Sequence, residues 1–227
     1  MMLMDGPMRR PIIAIDGPAG AGKSTVARRV ADSLGFVLLD TGALYRAVAL
    51  AAQRGKVSVA DPARSGALAE DLARRGAIVL EADRVLLDGE DVSRAIRTPE
   101  IGMDASTVSA HPPVRKALLD MQRKAGEGGG VVAEGRDIGT VVFPNAEYKF
   151  FLTASPEVRA RRRHEELVAK GRAVTIEETL AEVKRRDAQD EGRAVAPLKP
   201  AADAMLLDSS TMPIDDVVVA VLSRVRG

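Results

Sequence analysis

Gly17-Pro18-Ala19-Gly20-Ala21-Gly22-Lys23-Ser24 matches the pattern G-x-x-x-x-G-K-[ST], and this stretch decides the fold. It follows the apolar run 11–16, which predicts a buried strand, and it leads into residues 24–34, where apolar residues recur at helical spacing. A strand, a glycine-rich loop and a helix in this order are the context that the pattern requires. A glycine-rich turn that binds nothing is the alternative, and the correct context, spacing and Lys-Ser pair together argue against it.

Each part of this loop has a physical reason to bind phosphate. Glycines let backbone N–H groups surround the anion without a Cβ in the way, and the helix N-terminus adds its positive dipole. Lys23 can reach the β- and γ-phosphates, and the Ser24 hydroxyl can join the coordination shell of a magnesium ion. The loop therefore predicts a nucleoside-triphosphate site formed by Gly17, Pro18, Ala19, Gly20, Ala21, Gly22, Lys23, Ser24 and Thr25.

Outward from the loop, strand and helix patterns alternate along most of the chain. Further apolar runs predict core strands at residues 36–39, 131–134, 147–153 and 204–207. Helical spacing is present at about residues 43–53, 113–124 and 215–225. Alternation of this kind predicts an α/β fold in three layers, a P-loop fold with a five-stranded parallel sheet between helices.

Two segments interrupt the alternation. Within residues 66–107, the short apolar runs 77–81 and 84–87 and the turn signal Asp88-Gly89 predict antiparallel pairing, which is typical of an insertion on a parallel sheet. Residues 157–194, between the last two core strands, are charged helix and loop. The sequence therefore predicts one domain, residues 11–227, that carries two excursions.

Composition excludes several classes of protein for this chain of 227 residues. The absence of cysteine excludes disulfides and thiolate metal sites, and the two histidines lack metal-ligand spacing. A net charge of +1 argues against a protein that coats nucleic acid, and 3% aromatic residues are too few for single-strand binding by stacking. No apolar run is longer than that at 217–222, which is too short to cross a bilayer, and residues 1–10 lack the apolar stretch of a signal peptide. We therefore expect a cytoplasmic protein without a nucleic-acid or membrane partner.

Arginine outnumbers lysine by 25 to 8, and several arginines lie beside predicted strand ends or turns. The guanidinium group suits phosphate because it is planar, permanently charged and able to donate two parallel hydrogen bonds. Ligands of open α/β sheets bind at the carboxyl ends of strands, so Arg136 and Asp137 are the strongest candidates. Further anion-binding candidates are Thr41, Tyr45, Arg46, Arg97, Arg115, Arg162, Arg186 and Arg193. Any one arginine alone could equally face solvent, and residues 159–163 could form one exposed helical turn.

Five segments together carry a resemblance to a known family. They are GPAGAGKST at 17–25, LLDTGALYRA at 38–47, DGEDVS at 88–93, AEGRDIGTVVFP at 133–144 and RRDAQDEGRAVAPLKPAADA at 185–204. With these segments the chain resembles the bacterial cytidylate kinases, which are P-loop nucleoside-monophosphate kinases, from about residue 11 to the C-terminal helix. The resemblance implies transfer of the γ-phosphoryl group of ATP to CMP or dCMP, with Mg²⁺, by a monomer. It also implies that residues 66–107 are a monophosphate-binding insertion and that residues 157–194 include a short lid over ATP.

The same resemblance implies roles for single residues. The phosphate of CMP is assigned to Arg46, Arg136 and Arg193. The sugar hydroxyls are assigned to Arg186 and Asp190, and the cytosine ring to Ser106, Arg115 and Asp137. Arg162 is the first choice among lid arginines on the ATP side. Phosphoryl transfer needs positioning and charge neutralisation, so the catalytic charges are assigned to Lys23, Arg136, Arg162 and Arg193. Ser24 is the residue assigned to magnesium.

Asp137 and Arg115 also suit cytosine on physical grounds. Cytosine presents an N4 amino donor where uracil presents an O4 acceptor, so a carboxylate accepts from the first base and repels the second. Arg115 supplies donors that match O2 and N3 of cytosine. A structural ion pair of Asp137 with Arg136 or another nearby arginine is the alternative. Glu134, at a strand end, could equally orient the water molecules of a magnesium ion or cap the turn.

Two other functions stay open from the residues alone. One is a P-loop kinase for another small acceptor, such as UMP, AMP or a metabolite hydroxyl. The other is a P-loop regulatory protein that hydrolyses nucleotide to switch a partner, although this leaves the second set of arginines without a role. A GTPase is disfavoured because the guanine-reading string Asn-Lys-x-Asp is absent.

Overall fold

A computed structural model describes residues 10–81 and 84–227, so the leader predicted at residues 1–10 lies outside this range apart from Arg10. The strands are β1 (Ile12–Asp16), β2 (Val37–Asp40), β3 (Ile78–Leu80), β4 (Val85–Leu87), β5 (Glu90–Asp91), β6 (Val131–Gly135), β7 (Tyr148–Thr153) and β8 (Met205–Asp208). The helices are α1 (Lys23–Leu34), α2 (Thr41–Arg54), α3 (Pro62–Arg74), α4 (Pro99–Ser109), α5 (Pro112–Ala125), α6 (Pro156–Ala169), α7 (Ile176–Glu191) and α8 (Ile214–Arg226). Two short turns complete the set, a 3-10 turn at Ala95–Arg97 and a π-helical turn at Ile138–Val142.

The central sheet has five parallel strands in the order β2-β6-β1-β7-β8. The strand before the phosphate-binding loop, β1, is therefore in the middle of the sheet, with β6 on one side and β7 on the other. The register places Asp16 of β1 beside Gly135 of β6, and Asp40 of β2 beside Glu134. The parallel sheet predicted from the sequence is confirmed, and its carboxyl edge brings the loop after β1 close to the segment after β6.

Both faces of this sheet are covered, as the three-layer prediction requires. Ile13 and Ile15 pack on one face in a core with residues of α1 and α8, such as Val26 and Val217. On the other face, Ala14 packs in a second core with the π-helical turn. Strands with two buried faces are apolar almost throughout, which is why they appear in the sequence as continuous apolar runs.

The predicted insertion contains a separate antiparallel sheet of β3, β4 and β5. Asp88 and Gly89 form the turn between β4 and β5 with φ angles of 51° and 82°, the left-handed conformation that a tight hairpin turn requires. The turn was predicted, but β5 was missed because its two residues, Glu90 and Asp91, are polar and carry no apolar pattern. A third core joins this small sheet to α2–α5. Helix α3 begins at Pro62, capped by Asp61, ahead of residue 66.

The second excursion contains two helices, α6 and α7, which pack against each other. Ser155 caps α6, and Thr175 and Glu178 form a reciprocal capping box that begins α7. Within the described part of the chain, no helix is long and apolar enough to cross a membrane. The functional boundaries of the two excursions, 66–107 and 157–194, stay predictions.

Candidate active site

One cleft of about 720 Å³ opens at the carboxyl edge of the sheet, lined by the phosphate-binding loop, the ends of β2 and β6, and residues of α2, α4, α6 and α7. It brings together every residue predicted for the acceptor, namely Thr41, Tyr45, Arg46, Ser106, Arg115, Arg136, Asp137, Arg186, Asp190 and Arg193. From the triphosphate set it is lined by Ala19, Gly20, Gly22, Lys23, Ser24 and Thr25, and Arg162 also lines it. Gly17, Pro18 and Ala21 lie in the same loop but do not line the cleft.

The backbone of the loop depends on glycine at three positions. Gly17, Gly20 and Gly22 have φ angles of 146°, 78° and 94°, which side chains with a Cβ rarely adopt. A Cβ on Gly17 would lie 1.9 Å from the backbone oxygen of Leu152 in β7, so that position also excludes a side chain by space. The glycines therefore let the loop approach the central sheet while leading directly into α1.

Lys23 is almost completely buried at the start of α1, and its Nζ donates a hydrogen bond to the backbone oxygen of Pro18 over 2.8 Å. Burial is the main reason that the pKa of Lys23 is lowered to about 7, and the nearby Arg136 charge lowers it further. Glu134 and Asp16 act in the opposite direction. A lysine in this state gains strongly from an anion in the loop, because phosphate oxygens would replace the solvation that burial removed.

Glu134 lies at the end of β6, buried beside Lys23 and Ser24. Burial raises the pKa of Glu134, with Asp40 adding to the effect, while Lys23 and a hydrogen bond with Ser24 oppose it. Its Oε1 atom makes no hydrogen bond within the described residues. A buried carboxylate oxygen without a partner beside a hydroxyl is a donor set that suits a hard cation. The two groups therefore fit magnesium, although residues 10–81 and 84–227 contain no cluster of three or more His, Cys, Asp or Glu that could hold a metal alone.

Arg115 and Asp137 form a buried ion pair between α5 and the end of β6. Arg115 also donates to the backbone oxygen of Ser109 over 3.2 Å, and its guanidinium lies 5.7 Å from the ring centre of Tyr45. Burial raises the pKa of Asp137, while Arg115 and Arg193 lower it. Asp137 therefore forms the structural ion pair that the sequence left open as the alternative, and its partner is Arg115, not its neighbour Arg136. The pair still presents a carboxylate acceptor and guanidinium donors to the same cleft.

Asp190 of α7 holds two arginines in place. Its Oδ2 accepts a hydrogen bond of 2.8 Å from Nε of Arg136, and its Oδ1 accepts one from Arg193, which also donates to Oγ of Ser109 over 3.0 Å. Burial acts to raise the pKa of Asp190, but Arg136 and Arg193 outweigh burial and hold it below its usual range. Two cations are thereby fixed toward the cleft by one carboxylate, without being fully neutralised.

Two more arginines add charge to this region. Burial and then the charge of Arg136 lower the pKa of Arg186 to about 10, and its Nε has no hydrogen-bond partner within the described residues. Arg46 donates to the backbone oxygen of Ile96 over 3.0 Å, and burial lowers its pKa. Four guanidinium groups therefore share a confined space with too few carboxylates, which is a strong attraction for a doubly charged phosphate.

The remaining predicted residues make contacts around these charges. Thr41 donates from its hydroxyl to the backbone oxygen of Glu134 over 2.8 Å, which links α2 to β6. Ser106 of α4 and Gln189 of α7 are joined over 3.2 Å between Oγ and Oε1, which bridges the insertion and the second excursion. Arg162 donates to the backbone oxygen and Oγ of Ser209 over 2.6 and 3.1 Å, so here it binds the end of β8.

Sequence reasoning missed Arg159, which we considered only as part of an exposed turn. Arg159 is 3% exposed, and its guanidinium binds both carboxylate oxygens of Asp187 over 2.9 and 2.6 Å. It also donates to the backbone oxygen of Ala19 in the phosphate-binding loop over 3.2 Å. Helical spacing shows which residues share a face, but not that this face packs on the loop. The carboxylate of Asp16, which binds the segment after Asp137, was missed as well.

Three comparisons place the chain among known proteins. The family model described as cytidylate kinase matches residues 13–227. A cytidylate kinase of Geobacter sp. (strain M21) is 58% identical, over 91% of this chain and 89% of that protein. A cytidylate kinase of Citrifermentans bemidjiense is 55% identical, over 95% of this chain and 92% of that protein. A solved structure of an uncharacterized protein from Eubacterium ventriosum aligns with a TM-score of 0.53 at 13% identity, over 96% of this chain and 99% of that chain, and shares the fold alone.

Proposed function

The chain belongs to the cytidylate kinase family, and from this premise we propose that it transfers the γ-phosphoryl group of ATP to CMP or dCMP, giving ADP and CDP or dCDP. One observation carries the proposal. A single cleft holds a phosphate-binding loop for a triphosphate together with a second set of buried and half-buried arginines around Asp190 and Asp137. An enzyme that transfers a phosphoryl group between two phosphorylated nucleotides needs both the loop and the arginines.

The acceptor is assigned by chemistry to the Asp137 side of the cleft. Arg46, Arg136 and Arg193 neutralise the monophosphate, and Arg186 and Asp190 receive the sugar hydroxyls. Asp137 accepts a hydrogen bond from the N4 amino group of cytosine, and Arg115 donates to O2 and N3, with Ser106 at the edge of the ring. Uracil would place its O4 acceptor against the Asp137 carboxylate, so repulsion as well as lost hydrogen bonds favours cytosine.

The donor is assigned to the phosphate-binding loop. Backbone N–H groups of residues 17–25 surround the phosphates of ATP, and Lys23 neutralises the β- and γ-oxygens. Ser24 and Glu134 are the residues that would hold magnesium, which would withdraw negative charge from the phosphate oxygens of ATP. Arg162 is assigned to the ATP side, and reaching ATP would require it to exchange its contacts with Ser209.

Catalysis then rests on positioning and charge. The acceptor phosphate oxygen attacks the γ-phosphorus in line with the departing ADP oxygen, and no covalent intermediate with the enzyme is required. Lys23, Arg136, Arg162 and Arg193 are the proposed catalytic charges, because all four line the cleft and cations there would stabilise the negative charge of the transferred group. We assign residues 66–107 to the acceptor site and residues 157–194 to closure over ATP, in a monomer that acts on small molecules in the cytoplasm.

A kinase assay with a panel of acceptors tests the proposal. The purified chain is supplied with ATP and Mg²⁺ and with CMP, dCMP, UMP or AMP in turn, and ADP release is followed by a coupled assay. We expect CMP and dCMP to be phosphorylated with the highest kcat/KM, and the Lys23→Met variant to remove the activity. A higher kcat/KM with UMP or AMP would identify a P-loop kinase for another acceptor, and ADP release independent of any acceptor would favour a nucleotide-hydrolysing switch.

A further inference from the structure

Asp16 lies at the junction of the donor and acceptor sites, yet it lines neither of them. It is the last residue of β1, directly before Gly17 of the phosphate-binding loop, and it is paired in register with Gly135 of β6. Its side chain is 3% exposed. Oδ1 accepts a hydrogen bond of 2.7 Å from the N–H of Ile138, and Oδ2 accepts one of 2.7 Å from the N–H of Gly139.

These two N–H groups determine how the segment after β6 leaves the sheet. The N–H of Ile138 belongs to the same peptide group as the carbonyl of Asp137, so a bond to it restricts the rotation that aims the Asp137 side chain. The N–H groups at the start of a helical turn have no partner within the turn, and a carboxylate that accepts from both of them holds that start in one orientation. The backbone beside Asp137 is therefore clamped to the strand that begins the donor site.

Packing alone does not explain why a charged carboxylate, instead of a neutral side chain, is buried at position 16. The pKa of Asp16 is raised to about 6, mainly by burial and in smaller part by the charge of Asp137, while the two backbone hydrogen bonds and Lys23 oppose the rise. Placing one buried carboxylate close to another costs free energy that a neutral residue would avoid. What the carboxylate provides, and a hydroxyl or amide does not, is two acceptor oxygens for two adjacent N–H groups.

We propose that Asp16 is a positioning residue that holds Asp137 opposite Arg115 and so determines the preference for cytosine over uracil in the acceptor. The inference rests on the proposed function and adds to it a residue outside the cleft lining. The position of Asp16 directly before Gly17 would instead suggest a role in the donor site alone, and the two roles predict different kinetic effects. A donor role would change the KM for ATP, whereas a role through Asp137 changes the KM for CMP and the CMP-to-UMP ratio.

The Asp16→Asn variant tests this inference. Asparagine keeps the shape and one acceptor oxygen but turns an NH₂ group toward one of the two N–H donors. We expect the ratio of kcat/KM for CMP over UMP to fall about tenfold, mainly through a higher KM for CMP, as for the loss of one charged hydrogen bond. The KM for ATP should rise less than the KM for CMP, because Asp16 is only one of several charges that act on Lys23. Asp137→Asn provides the reference for lost discrimination.

Asp61→Asn is the control for removing a carboxylate at a helix start away from the cleft, where one oxygen, Oδ1 of Asp61, accepts from the N–H groups of both Ala63 and Arg64. It should leave the ratio unchanged. The inference would be overturned if folded Asp16→Asn kept the wild-type CMP-to-UMP ratio of kcat/KM, or if its KM values for CMP and for ATP rose equally. If Asp16→Asn does not fold, the Asp16→Glu variant takes its place, because it displaces both oxygens but keeps the charge. Asp16→Glu should lower the CMP-to-UMP ratio of kcat/KM, and a wild-type ratio in this variant would also overturn the inference. Failure of the wild-type chain to phosphorylate CMP would instead refute the proposed function.

Discussion

Lys23 shows what a single buried charge contributes to this cleft. Its pKa is lowered to about 7 by burial and by Arg136, so the free protein holds a lysine that is close to losing its proton at neutral pH. Phosphate groups in the loop would favour the charged form. The same residue therefore links binding of the triphosphate to proton uptake, a property that a solvent-exposed lysine would not have.

We expect ATP binding at pH 8 to take up protons and binding at pH 6 to take up almost none through Lys23. Above pH 7 the side chain is mostly neutral before binding and charged after it, whereas at pH 6 it is charged in both states. Calorimetric titrations of Mg-ATP in two buffers of different ionisation enthalpy measure the uptake directly. Lys23→Met should bind more weakly and lose the uptake at pH 8. Identical heats in the two buffers at pH 8 would show that Lys23 is already charged in the free protein.

At the same scale, the sequence predicted some site residues and missed others for a clear reason. Arg136 and Asp137 were identified because they directly follow an apolar strand, and ligands of parallel sheets bind at such ends. Asp16 is equally at a strand end, but its partners, Ile138 and Gly139, are far along the chain. Periodicity reports which face of an element is buried, and it carries no information on what that face meets. A buried carboxylate whose partners are backbone groups therefore leaves no pattern.

One ion pair joins helices α6 and α7 to each other and to the phosphate-binding loop. Arg159 of α6 binds Asp187 of α7 through two hydrogen bonds and donates to Ala19 of the loop. The side chains of the pair are 4% and 15% exposed. An exposed pair of the same geometry, Arg54 with Glu90, has two hydrogen bonds of 2.8 Å far from the cleft and provides a natural comparison.

We expect Asp187→Asn to lower the free energy of unfolding by about 3 kcal/mol, because it leaves the buried Arg159 charge without its partner. Glu90→Gln should have little effect, since solvent screens the Arg54–Glu90 pair. Chemical denaturation of both variants measures the difference. The KM for ATP should also rise in Asp187→Asn, because Arg159 then holds the carbonyl of Ala19 less firmly. Equal stability of the two variants would mean that the contact between α6 and α7 does not depend on this pair.

The order of strands and helices in the whole chain was predictable from the sequence, but the arrangement of the two excursions was not. Five apolar runs with helices between them allow few topologies, and in the one observed β1 is the central strand. The small sheet includes β5, whose two residues have no apolar pattern, and the bridge between Ser106 and Gln189 joins elements distant in sequence. Similarly, a net charge of +1 describes a balanced surface, whereas the arginines that matter share a few carboxylates inside one cleft.

This arrangement predicts that transfer to CMP is much faster than hydrolysis of ATP. The charges that would stabilise the transferred group come from both sides of the cleft, and Asp190 holds Arg136 and Arg193 on the acceptor side. A water molecule in place of the acceptor has no phosphate to bind these arginines. Closure of α6 and α7 over the nucleotides would also exclude water from the cleft. We expect ADP release without an acceptor to be at least about 100-fold slower than with CMP, a factor that matches the loss of two to three kcal/mol of charge stabilisation.

The measurement compares ADP release from ATP and Mg²⁺ alone, with CMP, and with cytidine. Cytidine fills the base site but has no phosphate to bind Arg136 and Arg193, so it should stimulate ADP release little. Lys23→Met gives the background from any contaminating ATPase. Release with cytidine as fast as with CMP would show that filling the base site suffices. Fast release with no acceptor would show that the donor site acts alone, and that the second set of arginines is not needed for the chemical step.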